Sequence, residues 1–416
     1  MRILKLTPRT EKWLLARRAQ RDDEAQSVAA TIVADVRKRG DSALFAWSKK
    51  LDGLDVARAG VWISREEIRS AKTQVSPAFL KAIQRAAKNV RRVAEQQLPR
   101  PWTIESEPGV KISQRVSPIK SIGCYIPGGR FSLVSTLVMT AVPAKVAGVS
   151  RIVAVCPKPN PELLATACLL GIERIARIGG AQAIAALAYG TNSIPRVEKI
   201  FGPGNKFVTA AKRLVSSDCA IDLPAGPTEA IVLAAEGNAR WIAADLLAQA
   251  EHAKDAASLL VTTSRSLAQE VQREIKWQLA ELPPGMASVS TESAGAILLA
   301  DSIEQACEFV NRFAPEHLSL PENAERLLQK IGSAGTVFLG PWSAQPLGDY
   351  ATGSNHVLPT GGWARRRGGL SAADFVKCIS VQTIRRNGFL RLADTVETLA
   401  ESEGLMAHRN AVRVRR

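Results

Sequence analysis

From about residue 119 the chain alternates short apolar runs with Ala- and Leu-rich helical stretches, and near Glu229 it begins the same alternation again. That texture admits few folds. Strands that are apolar on both faces and separated by helices form parallel sheets covered by those helices. In the first set, Ile119 to Ile126, Ile152 to Val155, Ile175 to Ile178 and Val197 to Phe201 are the expected strands. Helical segments such as Leu133 to Val149 and Ala181 to Ala188 lie between them. In the second set, Ala230 to Ala234, Leu259 to Thr262, Ala296 to Ala300 and Val337 to Leu339 take that place. Two α/β domains of similar construction follow.

The first hundred residues read mainly as helix. Ser76-Pro77 is a start signal, and Phe79, Ile83, Ala87, Val90 and Val93 then recur at helical spacing. The segment from about Ser371 reads as a helical appendage with one short strand around Ile379 to Ile384. No apolar run reaches the roughly 20 residues that cross a bilayer. Met1-Arg-Ile-Leu-Lys-Leu lacks a signal-peptide pattern, and Glu11, Asp22, Asp23 and Glu24 speak against a transit peptide. The expectation is a soluble, cytoplasmic enzyme. Its six cysteines show no CxxC pair, so reduced thiols are expected rather than thiolate-bound zinc. The net charge of +16 is spread along the chain without aromatic platforms, which argues for a solvated basic surface and against nucleic-acid binding.

The four histidines sit in clusters of chemically useful residues: Gln249 to His252, Pro315 to His317, Gly348 to His356, and Glu403 to His408. Imidazole titrates near neutrality and is the commonest metal ligand, so clustering of so few points to an enzyme. Gln249 and His252 share one face of a helix that opens at Asn238, beside Ile242 and Leu246. They read either as ligands or as a buried pair satisfied by the backbone. Glu403 falls on the apolar face of Leu392, Val396 and Leu399, with Gly404 ending that helix and His408 on the next turn. An exposed helix end is the alternative there. Asp349 and His356 lie in an irregular Gly-, Ser- and Asn-rich loop. Glu316 and His317 are adjacent, so both serve one site only if the backbone bends. Glycine-rich junctions at Gly128-Gly129, Gly179-Gly180, Gly202 to Gly204 and Gly226 suit either phosphate cradles or tight turns, and no GxGxxG is present. Residue chemistry alone reaches a soluble α/β enzyme with a mixed N/O metal site, open in the manner of catalytic zinc.

Several long motifs in order carry a resemblance that is more specific. They are Gly-Cys-Tyr125-Ile-Pro-Gly-Gly, Gly-Gly-Ala-Gln182-Ala-Ile-Ala-Ala-Leu, Phe-Gly-Pro-Gly-Asn205, Ala-Gly-Pro-Thr228-Glu, Asp-Leu-Leu-Ala-Gln249-Ala-Glu-His252, Ala-Pro-Glu316-His317-Leu, Gly-Asp349-Tyr and Asn-His356-Val-Leu-Pro-Thr. From about residue 20 to its end the chain resembles the histidinol dehydrogenases of histidine biosynthesis. The resemblance implies oxidation of L-histidinol to L-histidine by way of L-histidinal, with two NAD and one zinc per site. It implies Gln249, His252, Asp349 and His408 as zinc ligands and Glu316 and His317 as catalytic acid/base residues. Thr228, Gln249, His252, His317, Asp349, Glu403 and His408 match substrate contacts, Tyr125, Gln182 and Asn205 match NAD contacts, and His356 takes a supporting role.

The resemblance also implies the architecture: two incomplete Rossmann-like α/β domains with parallel-rich sheets, small N- and C-terminal helical extensions and an intertwined homodimer. Residues 1–19 would be an N-terminal extension. Residues 20–124 and 230–370 would form a discontinuous first domain with the zinc and catalytic residues, and 125–229 the NAD-binding domain. Residues 371–416 would be a dimerisation segment that lends Glu403 and His408 to the partner's site. Three departures stand out: Thr228 where the family usually has Ser, Ala253-Lys254-Asp255 for Gly-Pro-Asp, and Arg130-Phe131 after the double glycine. They leave one alternative, a related zinc- and NAD-dependent dehydrogenase acting on another polyol such as sulfopropanediol.

Overall fold

The computed structural model describes residues 1–18, 22–128, 133–224 and 226–416. Gly129, Arg130, Phe131 and Ala225, which the sequence reading used, lie outside them.

Two parallel sheets organise the chain, as the repeated alternation predicts. The five-stranded sheet runs Ile175–Ala176, Arg151–Val155, Ser121–Tyr125, Lys199–Phe201, Ala220–Ile221. The six-stranded sheet runs Arg2–Lys5, Ala296–Leu299, Ala257–Thr262, Glu229–Leu233, His317–Leu320, Thr336–Leu339. Counted from the first strand of each repeat, both have the order third, second, first, fourth, fifth; Arg2–Lys5 adds an edge to the second.

The period of two along each strand sends alternate side chains to opposite faces. Ile122 and Cys124 meet the helices Val134–Val146 and Pro161–Leu170, whereas Tyr125, Val153 and Val155 meet Gly180–Tyr189 and Lys206–Val215. In the other sheet Ile231, Leu259 and Leu318 join Phe309 and Phe313 on one face, while Val232, Leu260 and Ile297 join Ile242, Leu246 and Val271 on the other. Each fully buried aliphatic chain contributes about 1.5–3 kcal/mol relative to exposure. Both sheets are therefore buried on two faces.

Three expectations need correction. Residues 1–19 are no appendage: Arg2–Lys5 pairs with Ala296–Leu299, and Leu6 and Leu14 enter the core of the six-stranded sheet. The long segment assigned with that sheet, 20–124, packs instead on the five-stranded one. The helices Asp23–Arg39 and Asp41–Asp52 bury Ala29, Ile32 and Leu44 against Ile184 and Val208, and Ser121–Tyr125 is the central strand of that sheet. Helix Pro77–Gln97, opened by the Ser76 hydroxyl, lays Val90 against the helix Val134–Val146.

The strands Trp102–Glu107 and Val110–Pro118 also went unseen, in the stretch between the first hundred residues, read as helix, and the alternation that begins near residue 119. They form a three-stranded antiparallel sheet with Val376–Ile384. Its exposed side chains include Trp102, Ile104, Ile379 and Val381. All six cysteines are free thiols, four of them buried. Among the described residues no helix is long and apolar enough to cross a membrane.

Candidate active site

The N-terminal edge of the six-stranded sheet gathers most of the residues singled out in the sequence. Parallel pairing sets His317 opposite Ala230, so the two central strands begin side by side. Thr228 and Glu229 open one of them and Glu316 and His317 the other. Above them, helix Ala239–Ala250 is capped by the Asn238 side chain and delivers Gln249 at its last turn. The helix ends at Ala250, so His252 lies just beyond it, exposed, with Nδ1 3.3 Å from the Ala248 carbonyl oxygen. Asp349 comes from the short helix Gln345–Tyr350 rather than from a loop. A Cβ at Gly348 would sit 2.6 Å from the Phe338 ring, and only glycine lets that helix approach so closely.

A row of buried hydrogen bonds links these elements. Gln345 Nε2 donates to Gln249 Oε1 at 2.5 Å, and Gln249 Nε2 donates to Thr228 Oγ1 at 2.7 Å. The Thr228 hydroxyl donates to Glu316 Oε2, which also accepts the Glu229 backbone N–H at 2.9 Å. This contact provides the bend that the sequence required, since Glu316 turns back beneath Thr228 while His317 enters the strand. Behind the row, the Arg18 guanidinium grips the buried Glu229 carboxylate and lies 3.7 Å from the Phe313 ring centroid.

His317 is 3 % exposed, and neither ring nitrogen has a hydrogen-bond partner. Nδ1 lies 3.9 Å from Glu316 Oε2 and Nε2 3.4 Å from Asp349 Oδ1. Burial works against a charged imidazole, but the Glu316 and Asp349 carboxylates outweigh it and raise the pKa. Burial likewise raises the Glu316 pKa, against the pull of His317 and the Thr228 hydroxyl. Burial opposes the Asp349 charge too, but the His317 imidazole beside it, with His356 and His252 near, holds its carboxyl below the usual range. His356 ties the loop to the other domain: Nδ1 is 2.9 Å from the Asp349 carbonyl oxygen and Nε2 3.4 Å from Thr136 Oγ1.

An amide oxygen, an imidazole and a carboxylate on neighbouring elements form a donor set that suits zinc. The set is incomplete within one chain. Among the described residues no group of three or more His, Cys, Asp or Glu is poised to hold a metal ion. Glu403 and His408 are exposed, on helices that pack chiefly on each other. Gly404, at φ 73°, turns the chain between them, and Val396 and Leu399 of the same region are exposed as well.

The residues matched to NAD lie at the C-terminal edge of the five-stranded sheet. The Tyr125 hydroxyl accepts the Gly180 N–H at 3.2 Å, at the start of helix Gly180–Tyr189. Gln182 is fully buried; its Nε2 donates to Asp52 Oδ2 at 2.9 Å and its Oε1 has no partner. Asn205 caps helix Lys206–Val215 through its side-chain oxygen. A cleft of about 720 Å³ runs from Pro203 and Asn205 on that side to Thr228 and His252 on the other. Gln345, Arg18 and Asp52 escaped the sequence reading. Each gains its place only through a partner far away in the chain, and no local spacing marks it.

The family model for histidinol dehydrogenase matches residues 15–416. A histidinol dehydrogenase of Methanosarcina barkeri is 44% identical over 97% of this chain and 94% of its own length. One from Salmonella typhimurium is 42% identical over 98% of this chain and 95% of its own. The crystal structure of histidinol dehydrogenase from Elizabethkingia anophelis superposes with a TM-score of 0.94 at 39% identity, covering 100% of this chain and 98% of that one. Similarity that spans both sheets, the N-terminal edge strand and the exposed C-terminal helices leaves one assignment: the chain belongs to the histidinol dehydrogenase family.

Proposed function

We propose that this protein oxidises L-histidinol to L-histidine by way of L-histidinal, with two NAD, at a site built around His317. The reading rests on the buried imidazole of His317, which lacks hydrogen-bond partners and stands between the carboxylates of Glu316 and Asp349. Gln249, His252 and Asp349 would hold one zinc, with His408 of a second copy completing the set. A dication there supplies charge that favours an alkoxide and holds the nitrogens of an amino alcohol.

His317 takes the hydroxyl proton as the carbinol carbon gives a hydride to the first NAD, leaving an aldehyde. The Glu316 carboxylate beside it favours the protonated imidazole and so the uptake of that proton. Glu316, held by Thr228 and the Glu229 N–H, takes a proton from water as that water adds to the aldehyde carbon, and the protonated His317 returns its proton to the aldehyde oxygen, leaving the imidazole neutral for the second oxidation. The hydrate then gives a second hydride to a fresh NAD and its proton to His317. Thr228, Gln249, His252, Asp349, Glu403 and His408 orient the substrate so that hydride donor and acceptor meet.

NAD would occupy the C-terminal edge of the five-stranded sheet, against Tyr125, Gln182 and Asn205. Where strand order reverses, between Ser121–Tyr125 and Lys199–Phe201, parallel sheets of this kind open a crevice, and each repeat is read as an incomplete Rossmann-like unit. On this reading the five-stranded unit has the NAD role and the six-stranded one the chemistry. The exposed Val396, Leu399, Ile379 and Val381 support a homodimer in which residues 371–416 of each chain reach the partner's site.

The test is NADH formation by the zinc-loaded protein. Two NADH per L-histidinol, with no turnover of dihydroxypropanesulfonate, is the expected result. Turnover of the sulfonate alone would overturn the reading in favour of the polyol alternative.

A further inference from the structure

The amide of Gln249 is held from two sides, and the direction of each hydrogen bond follows from the carboxylate at the end of the row. An ionised Glu316 can only accept, so the Thr228 hydroxyl directs its proton to Glu316 Oε2. Thr228 Oγ1 is then left to accept, and Gln249 must turn its Nε2 toward it. The Gln249 oxygen is thereby placed on the opposite side, where only a donor satisfies it. Gln345 Nε2 is that donor. The row is closed to solvent except at Thr228, which is half-buried at the cleft wall: Gln249 is 0 %, Gln345 2 % and Glu316 7 % exposed.

Gln345 is also tied to its surroundings through its backbone. Its N–H bonds to the carboxylate of Asp245, one turn ahead of Gln249 on helix Ala239–Ala250. Gln345 itself opens the short helix that carries Asp349 four residues later, one turn along the same face. A single residue thus joins the two elements that supply Gln249 and Asp349, and it fixes which end of the Gln249 amide faces the site.

We infer that Gln345 is a positioning residue for the metal centre, anchoring the Gln249 oxygen so that its second lone pair meets the cation. The inference rests on the reading of Gln249 and Asp349 as zinc ligands. An amide oxygen accepts twice, so one hydrogen bond leaves it able to ligate. Partners of this kind fix ligand orientation, and their loss costs about 10–100-fold in metal affinity.

The experiment measures zinc affinity by chelator competition, and thermal unfolding of the zinc-free protein, in the full-length chain. Gln345→Leu keeps most of the volume and removes the donor. Its zinc dissociation constant should rise about 10–100-fold while the zinc-free protein still unfolds cooperatively. Gln345→Glu keeps the volume but, ionised, offers the Gln249 oxygen no donor and turns the amide over, so it should lose zinc affinity to a similar extent. Parental affinity in folded Gln345→Leu overturns the inference, and so does parental affinity in folded Gln345→Glu, where volume is kept and only the donor is lost. A parent protein that binds no zinc overturns the ligand reading itself, and the inference falls with it.

Discussion

The five-stranded and six-stranded parallel sheets share a strand order but present opposite edges to the cleft. In the five-stranded sheet the C-terminal ends of the central strands, Tyr125 and Phe201, lead into open loops, and Asn205 lines the cleft. The matching notch in the six-stranded sheet is nearly closed. It is reduced to a recess of about 20 Å³ beside Trp241, Asp245, Ser319 and Pro341, and the Trp241 and Trp342 rings meet there tilted at 45°, with centroids 5.1 Å apart. Its N-terminal edge instead carries Thr228, Glu316 and His317. Topology determines where a crevice can open, while side-chain volume decides whether it does, so two units of one topology can divide binding from chemistry.

The largest test of that division is His317→Asn. It should lower kcat by about 10²–10⁴-fold while the KM for NAD stays near the parent's. A loss confined to the KM for NAD would mean that the chemistry does not belong to this edge.

A second substitution probes the other edge. Gly202 has φ 116°, and a Cβ there would fall on the Tyr125 carbonyl oxygen. Gly202→Ala should raise the KM for NAD by about 5–150-fold, the equivalent of about 1–3 kcal/mol of backbone strain, and leave zinc content intact. Lost zinc with unchanged KM would reverse the assignment of the two edges.

The smallest effect belongs to the closed notch. Burial pushes the Asp245 carboxyl up from 3.8 to about 6. The folded state therefore holds this proton more tightly than the unfolded chain, and stability falls as pH rises from about 4 through 6. Asp245→Asn still accepts the Gln345 N–H but does not ionise, so its Tm advantage over the parent should grow across that window. Parallel curves of Tm against pH would show that the notch imposes no such penalty.

Much of this arrangement is legible in the sequence because it is local. Runs such as Ile152 to Val155 and Leu259 to Thr262 are apolar on both faces, and Asn238 and Ser76 announce helices by capping chemistry. The strands Trp102–Glu107 and Val110–Pro118 are not legible in that way. They are rich in Glu, Lys, Ser and Arg because they are exposed or half-buried, and the pairing of Val110–Pro118 with Val376–Ile384 spans most of the chain. Residues 23–52 fall in the stretch read as helix, but nothing in their sequence says which sheet they cover.

The site divides along the same line. Histidine clusters and motif resemblance marked Gln249, His252, Glu316, His317 and Asp349. Gln345, 96 residues from the amide it anchors, carried no signal because its role exists only once two helices meet.

One measurement bears most directly on the claim that the catalytic edge is completed from a second copy of the chain. His408→Ala and His317→Ala proteins, each inactive alone, are mixed under conditions where subunit exchange is verified. Since half of the dimers are then mixed and each has one intact site of two, activity should return to about a quarter of the parent's. No recovery despite proven exchange would contradict the account.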